Sequence, residues 1–159
     1  MPRAKNALAS HDDATHAHVA ESHQLGSVIA EFPTTFEAAE ASRKHGMNVL
    51  MGAPNIVRGG SHSGNVAASE LAQLGLLDIL SSDYYPASLL DAAFRVADDQ
   101  SNRFTLPQAV KLVTKIQRRR LISGSRGDWR GQTRRPVLAH RKDNHIHIDH
   151  VWRQGKRVF

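Results

Sequence analysis

Four short apolar runs, each followed by an amphipathic stretch, constrain the fold of this chain more than any other feature. They are Ala7-Leu8-Ala9, Val28-Ile29-Ala30, Asn48-Val49-Leu50-Met51 and the run from Leu77 to Leu80. Each is too short for a helix, and its apolar residues are consecutive, broken only by Asp78 in the fourth. Such runs are the mark of strands buried on both faces. Residues 14–25 read as a helix, with Ala17, Ala20 and Leu25 apolar and Gly26 as the stop. Thr34-Thr35-Phe36-Glu37 resembles a capping box, and the helix it opens runs to His45 and ends at Gly46. A glycine-rich loop over 52–65 precedes a helix over 66–74 that ends at Gly75. A helix over 86–98 follows the fourth run. Thr105-Leu106-Pro107-Gln108 starts another, with proline in the first turn, where no amide donor is needed. The alternation predicts an α/β fold with a parallel sheet covered by helices. Four units of about 20–30 residues fit an open doubly wound sheet or part of an eight-fold barrel.

A polar group follows every one of these strands. His11-Asp12-Asp13 follows the first, Glu31 ends the second, Asn55 and Arg58 lie after the third, and Asp83 follows the fourth. In a parallel α/β fold those ends share one face, where active sites are built. After Lys115 the pattern breaks. Val137-Leu138-Ala139, the alternating Ile146, Ile148 and Val151, and Val158-Phe159 read as antiparallel strands, with Asp143-Asn144 as a turn.

The length of 159 residues suggests one domain or slightly more. No run reaches the ~18 apolar residues of a membrane span. The start, Met1-Pro2-Arg3-Ala4-Lys5, is not that of a secretory signal. There is no cysteine, which excludes disulfides and thiolate metal sites. A cytoplasmic location, with no membrane partner, fits these features. The net charge of +6 would raise nucleic-acid binding, yet its location argues against that. Seven arginines (118, 119, 120, 126, 130, 134, 135) and one acid, Asp128, lie in 116–136. The remainder is balanced, with 14 basic and 14 acidic residues. An arginine-rich nucleic-acid-binding module is the alternative of another class, but that stretch has no aromatic interleaving beyond Trp129.

Several groups carry candidate chemistry. His11-Asp12-Asp13 reads as a metal-ligand imidazole with supporting acids, or as a helix start capped by Asp12 or Asp13. Asp83 reads as a metal ligand and general base toward water, or as a cap or turn ahead of the helix near Pro86. The segment Asn55 to Asn65 carries three glycines, two serines, Arg58 and His62. Backbone amides, hydroxyls, a guanidinium and a following helix N-terminus would suit a phosphate-bearing substrate; a surface connection is the plainer alternative. It is neither a Walker loop nor a dinucleotide fingerprint. His145-Ile146-His147, with Asp149 on the same face, reads as a solvated strand face. His16, His18, His23 and His45 are expected on helix surfaces.

Five motifs in order carry a resemblance: Ala7-Leu8-Ala9-Ser10-His11-Asp12-Asp13, Ala30-Glu31-Phe32-Pro33-Thr34-Thr35, Met51-Gly52-Ala53-Pro54-Asn55, Arg58-Gly59-Gly60-Ser61-His62-Ser63-Gly64-Asn65 and Ser81-Ser82-Asp83-Tyr84. They resemble the α-D-ribose 1-methylphosphonate 5-triphosphate diphosphatases of the carbon–phosphorus lyase pathway, a family of the amidohydrolase superfamily. The resemblance covers about 7–115 and 137–159. It implies the C-terminal half of a (β/α)8 barrel over 1–115 and strands of a small β-domain over 137–159. It implies a divalent metal ion and hydrolysis of a ribose phosphonate triphosphate to the 5-phosphate and diphosphate, alongside other enzymes of phosphonate breakdown. His11 then resembles a metal ligand, and Asp83 the last-strand aspartate that binds metal and handles the proton of water. Arg58, Gly59, Gly60, Ser61, His62, Ser63 and Asn65 become the polyphosphate loop. Another metal-dependent hydrolase or deaminase on the same barrel is the alternative within the superfamily.

Two departures from the family add expectations. Its members are more than twice as long and carry a metal-binding His-x-Asp motif after the first barrel strand. These 159 residues alone are therefore expected to be inactive, with Val49, Leu50, Leu77 and Leu80 uncovered. Residues 116–136 do not match the family. Under permitted codons, a shifted frame over Lys115–Arg118 restores the family's Asn-Pro-Ala. A shifted frame over Asp128–Pro136 restores a Gly-Lys-Arg-Ala-Asp segment. Frameshifts, with return to frame near Val137, are the expectation for this stretch.

Overall fold

The structure, a computed structural model, describes residues 7–61, 64–114 and 135–159. The chain falls into two compact units that divide after Gly124. The first holds a four-stranded parallel sheet in the order β1-β2-β3-β4. Its strands are β1 (Leu8–His11), β2 (Ser27–Glu31), β3 (Asn48–Gly52) and β4 (Ile79–Ser81). Sequence order and spatial order coincide, with no reversal of the kind that marks a doubly wound sheet.

The helices are α1 (His16–Gln24), α2 (Phe36–Lys44), α3 (Ala53–Arg58), α4 (Ala68–Gln73), α5 (Ser88–Asp98) and α6 (Leu106–Leu112). They cover one face of the sheet. Ala30 of β2 packs among Val19, Ala38 and Ala41 of α1 and α2. Val49, Met51 and Leu80 pack among Leu71, Ala92, Val96 and Leu112 of α4, α5 and α6. The other face carries Ile29, Leu50 and Ile79, buried together with help from Val28 and Phe32. Both faces of the central strands are therefore apolar, as their unbroken hydrophobic runs predict. The expectation that Val49, Leu50, Leu77 and Leu80 stand uncovered is wrong. All four are at most 6% exposed, because helices close over one face and the Ile29–Leu50–Ile79 row closes the other.

Several local expectations are also corrected. Thr15 caps α1, its hydroxyl accepting from the His18 amide at 3.3 Å, so neither Asp12 nor Asp13 is the cap. The α1 anchor is the buried Val19, while Leu25 is 71% exposed beyond the last turn. Thr35, not Thr34, caps α2 by accepting from the Ala38 amide at 3.0 Å. Glu37 does not close a box; it accepts from the His16 amide at 3.0 Å and ties α2 to the start of α1. The helix start at Thr105 is as expected, and Gln108 accepts from the Thr105 amide at 2.8 Å. The fourth strand lies two residues later than Leu77. Asp78, before it, accepts from the Val49 amide at 2.9 Å and pairs with Arg43.

The second unit is an antiparallel sheet of β5 (Val137–Lys142), β6 (His145–Arg153) and β7 (Lys156–Arg157). Asp143 and Asn144 turn the first hairpin with φ of 50° and 61°, the left-handed pair of a type I′ turn. Val158 and Phe159 lie beyond β7 but still pair with Val151 through backbone bonds. Residues 115–134, which hold nearly all of the arginine-rich segment, fall outside the described residues. Among the described residues no helix is long and apolar enough to cross a membrane.

Candidate functional site

The four strands end along one rim of the parallel sheet. His11 lies beside Glu31, Glu31 beside Leu50, and Gly52 beside Ser81. Just past three of these ends stand Asp12, Phe32 and Asp83, all left-handed, with φ of 58°, 55° and 49°. Such backbone costs about 1–3 kcal/mol at each non-glycine residue and concentrates at functional sites. For a ring-bearing residue such as Phe32 it is a marked outlier. The strain is offset locally. The Asp12 amide donates to the Glu31 carbonyl at 3.0 Å, and the Phe32 amide to the Leu50 carbonyl at 2.9 Å, so no ladder bond is lost.

His11 stands at the β1 end of the rim. Its Nδ1 lies 3.0 Å from Asp12 Oδ2, and its ring meets the Phe32 ring edge-on at 5.4 Å. Both members of the pair are more than half exposed, so it contributes little to stability. Its effect is orientation: a carboxylate on Nδ1 leaves Nε2 as the ring nitrogen turned toward another partner. Asp13 turns inward instead. It is buried, one oxygen accepts from the Ser22 hydroxyl at 3.1 Å, and Oδ2 has no partner among the described residues.

The expected loop 52–65 begins as a helix. Pro54 lies in the first turn of α3, and Gly59 ends it at φ 81°, a conformation that glycine adopts freely. The Gly59 amide donates to the Ile56 carbonyl at 3.3 Å and the Gly60 amide to the Asn55 carbonyl at 3.0 Å. Those two amides therefore close the helix and are not spare donors for an anion. The remainder of the loop is pinned at its far end. Asn55 Oδ1 accepts from the Ala68 amide at 2.9 Å, and the Val66 amide donates to the Thr34 carbonyl at 3.0 Å.

This pinning brings Gly60, Ser61 and Asn65 to one depression with Asp12, Gly52 and Asp83. Its volume is about 200 Å³. Asp83 lies in a turn, as its plainer reading allows, and is not a helix cap; α5 starts five residues later, at Ser88. Arg58 lies at the edge of the site, its guanidinium carbon 5.3 Å from the centre of the Tyr84 ring. It lines a neighbouring depression with Val57, Tyr84 and Tyr85. His62 and Ser63 lie outside the described residues. Nothing in the local sequence marks the aromatic partner of Arg58, the latch at Asn55 or the closeness of Gly52 to Asp83, because each depends on a contact between distant segments.

The expected metal ligands come only partly together. His11 and Asp83 supply donors of the right kind, an imidazole and a carboxylate. They follow the two edge strands of the sheet, about 14 Å apart if flat, which is three strand spacings. Among the described residues no three His, Asp or Glu side chains form a group able to hold a metal ion. The donor chemistry fits a metal ion, but the described residues do not assemble a site for one. In the second unit, His140 Nδ1 lies 2.9 Å from Asp149 and its ring stacks on His147 at 5.5 Å, on an exposed strand face.

No family model matches the chain, and no solved structure matches it. A curated relative does. Over 156 residues, 98% of its own length, the chain is 88% identical to the alpha-D-ribose 1-methylphosphonate 5-triphosphate diphosphatase of Escherichia coli strain K12, and it spans 41% of that protein's length.

Proposed function

We propose that this chain is part of a diphosphatase that hydrolyses α-D-ribose 1-methylphosphonate 5-triphosphate in phosphonate breakdown. The observation that carries the reading is the 88% identity across nearly the whole chain. Hydrolysis to the 5-phosphate and diphosphate breaks the anhydride between the first and second phosphoryl groups. One water is consumed, its hydroxyl going to one phosphorus and its proton to the other side.

The roles follow from the rim. Asp83 accepts the proton of the attacking water, which needs a carboxylate within hydrogen-bond reach of that water. Ser61 and Asn65 face the polyphosphate oxygens from across the same depression, and His62 and Ser63, between them in sequence, are assigned the same role. Gly59 and Gly60 let the chain pass close to the substrate but do not bind it through their amides. Arg58 reaches the outer phosphoryl groups, steadied by the Tyr84 face. A divalent metal ion would be held by Asp83 and His11 with ligands from outside the described residues. When bound, it would polarise a phosphoryl oxygen and acidify a water.

This function belongs with a finer fold. The unreversed strand order, the helices on one face and the Ile29–Leu50–Ile79 row on the other suit consecutive strands of a (β/α)8 barrel, whose interior is filled by such rows. Curvature of that barrel would also draw the β1 and β4 ends closer than a flat sheet allows. On this reading 1–115 is the barrel part, 116–136 a frameshifted segment and 137–159 strands of the small domain, in a cytoplasmic enzyme. The test is to supply the full-length protein that carries this chain with the triphosphate and a divalent metal. Metal-dependent appearance of diphosphate is expected. Deamination or ester cleavage with an intact triphosphate would overturn the reading.

A further inference from the structure

Gly52 is a glycine for which the backbone gives no reason. Its φ and ψ are −75° and 130°, angles that any L-residue adopts. Six of the other described glycines have φ between 70° and 93°, where a side chain is strained. The reason for Gly52 is space. A Cβ built there would stand 2.9 Å from Asp83 Oδ2, 3.4 Å from Asp83 Cβ and 3.6 Å from Asp83 Cγ. Among the described glycines, Gly52 alone would meet anything closer than 3.0 Å. The atom met is the candidate base itself, on a residue 31 positions later.

The Asp83 carboxylate therefore rests on the bare backbone at the end of β3. A methyl group at 52 would collide with that oxygen but only touch Asp83 Cβ. The displacement would fall on the carboxylate, by rotation about the short side chain. Asp83 is exposed, with its backbone at φ 49°, so the carboxylate has room to swing away from its present position. Its neighbour Tyr84 holds Arg58.

We propose that Gly52 is a positioning residue, the seat that fixes the Asp83 carboxylate at the rim. The proposal rests on the role given to Asp83 above. It is tested with Gly52→Ala, Asp83→Gly and the double variant in the full-length protein that carries this chain. Glycine suits position 83 as a control, because it tolerates the positive φ while removing the carboxylate. In the parent background, Gly52→Ala should lower kcat for the triphosphate by about tenfold or more, with KM changed less than about threefold. In the Asp83→Gly background it should lower turnover no further, because groups that act through one another are not additive.

Thermal unfolding supplies a readout that needs no turnover. Gly52→Ala should lower Tm by about 2 °C or more in the parent, through overpacking, and by less than about 1 °C beside Asp83→Gly. Equal losses of Tm in both backgrounds would overturn the proposal. So would an unchanged kcat in Gly52→Ala. Should Gly52→Ala fail to fold, recovery of folding in the double variant supports the seat, and failure to recover contradicts it. A parent protein without turnover would sink the diphosphatase reading, while the unfolding comparison would still decide whether Gly52 seats Asp83.

Discussion

Asp83 combines a left-handed backbone, an exposed position and a carboxylate pressed against Gly52. A turn with no duty could relax all three. Asp83→Asn keeps the size and removes the proton acceptor, so it should reduce turnover of the full-length enzyme well beyond its effect on Tm. A loss of less than threefold, under ~1 kcal/mol in barrier, would exclude a central role. Arg58→Ala should cost about 1.5–3 kcal/mol in kcat/KM for the triphosphate, the range of one charge-assisted bond. Steady-state kinetics with metal content measured in parallel would separate this from loss of the ion. A different carboxylate gives a pH prediction. The Ser101 hydroxyl and amide both donate to Asp99, which holds its carboxyl below the ordinary range. A depressed folded pKa stabilises above the unfolded value and loses its effect as pH falls through the folded one. Ser101→Ala should therefore be less stable than the parent near neutral pH, and the gap in urea midpoint should shrink as pH falls through and below the ordinary carboxylate range. The strand-end position of Asp83 is legible in the sequence, as a polar residue after an apolar run. The need for glycine at 52 is not, because it arises from an atom 31 residues away.

Element by element, the signals that held were those with local causes. The β3 run is apolar at consecutive positions and is buried on both sides. Asp143-Asn144 turns the hairpin because these two residues tolerate positive φ. The reading of 52–65 as loop failed at α3, although Pro54 in the first turn and Gly59 after the last are helix punctuation. Glycine density outweighed their order in that reading. Asn55 was legible as a polar strand-end residue, yet its described role is mechanical: it satisfies the Ala68 amide at the start of α4, where Ala67 has no side-chain acceptor. Asn55→Ala should destabilise the fold by about 0.5–2 kcal/mol, the cost of a lost N-terminal cap. Asn55→Asp, which keeps the acceptor, should recover most of that in chemical denaturation. Equal losses in the two variants would show that the latch is not what Asn55 supplies.

At the scale of the whole molecule, the parallel sheet has β1 as an edge strand, with Leu8 51% exposed. Edges of this kind recruit further strands. The buried state of Val49, Leu50, Leu77 and Leu80 removes one reason for aggregation and leaves the edge. A polypeptide of these 159 residues alone should thus associate in a concentration-dependent way, visible in sedimentation, and release no diphosphate. A charged residue in β1, such as Ala9→Lys, should reduce that association. Fold class and rim were legible because parallel α/β topology follows from a repeating pattern. A metal site was not, since the described residues assemble no group able to hold an ion. The central claim is the reaction, and phosphorus NMR of the triphosphate incubated with the full-length protein and a divalent metal tests it most directly. The 5-phosphate and diphosphate should appear in equal amounts, with the signals static when the metal is chelated. Stepwise release of orthophosphate, or an unchanged triphosphate spectrum with metal bound, would contradict it.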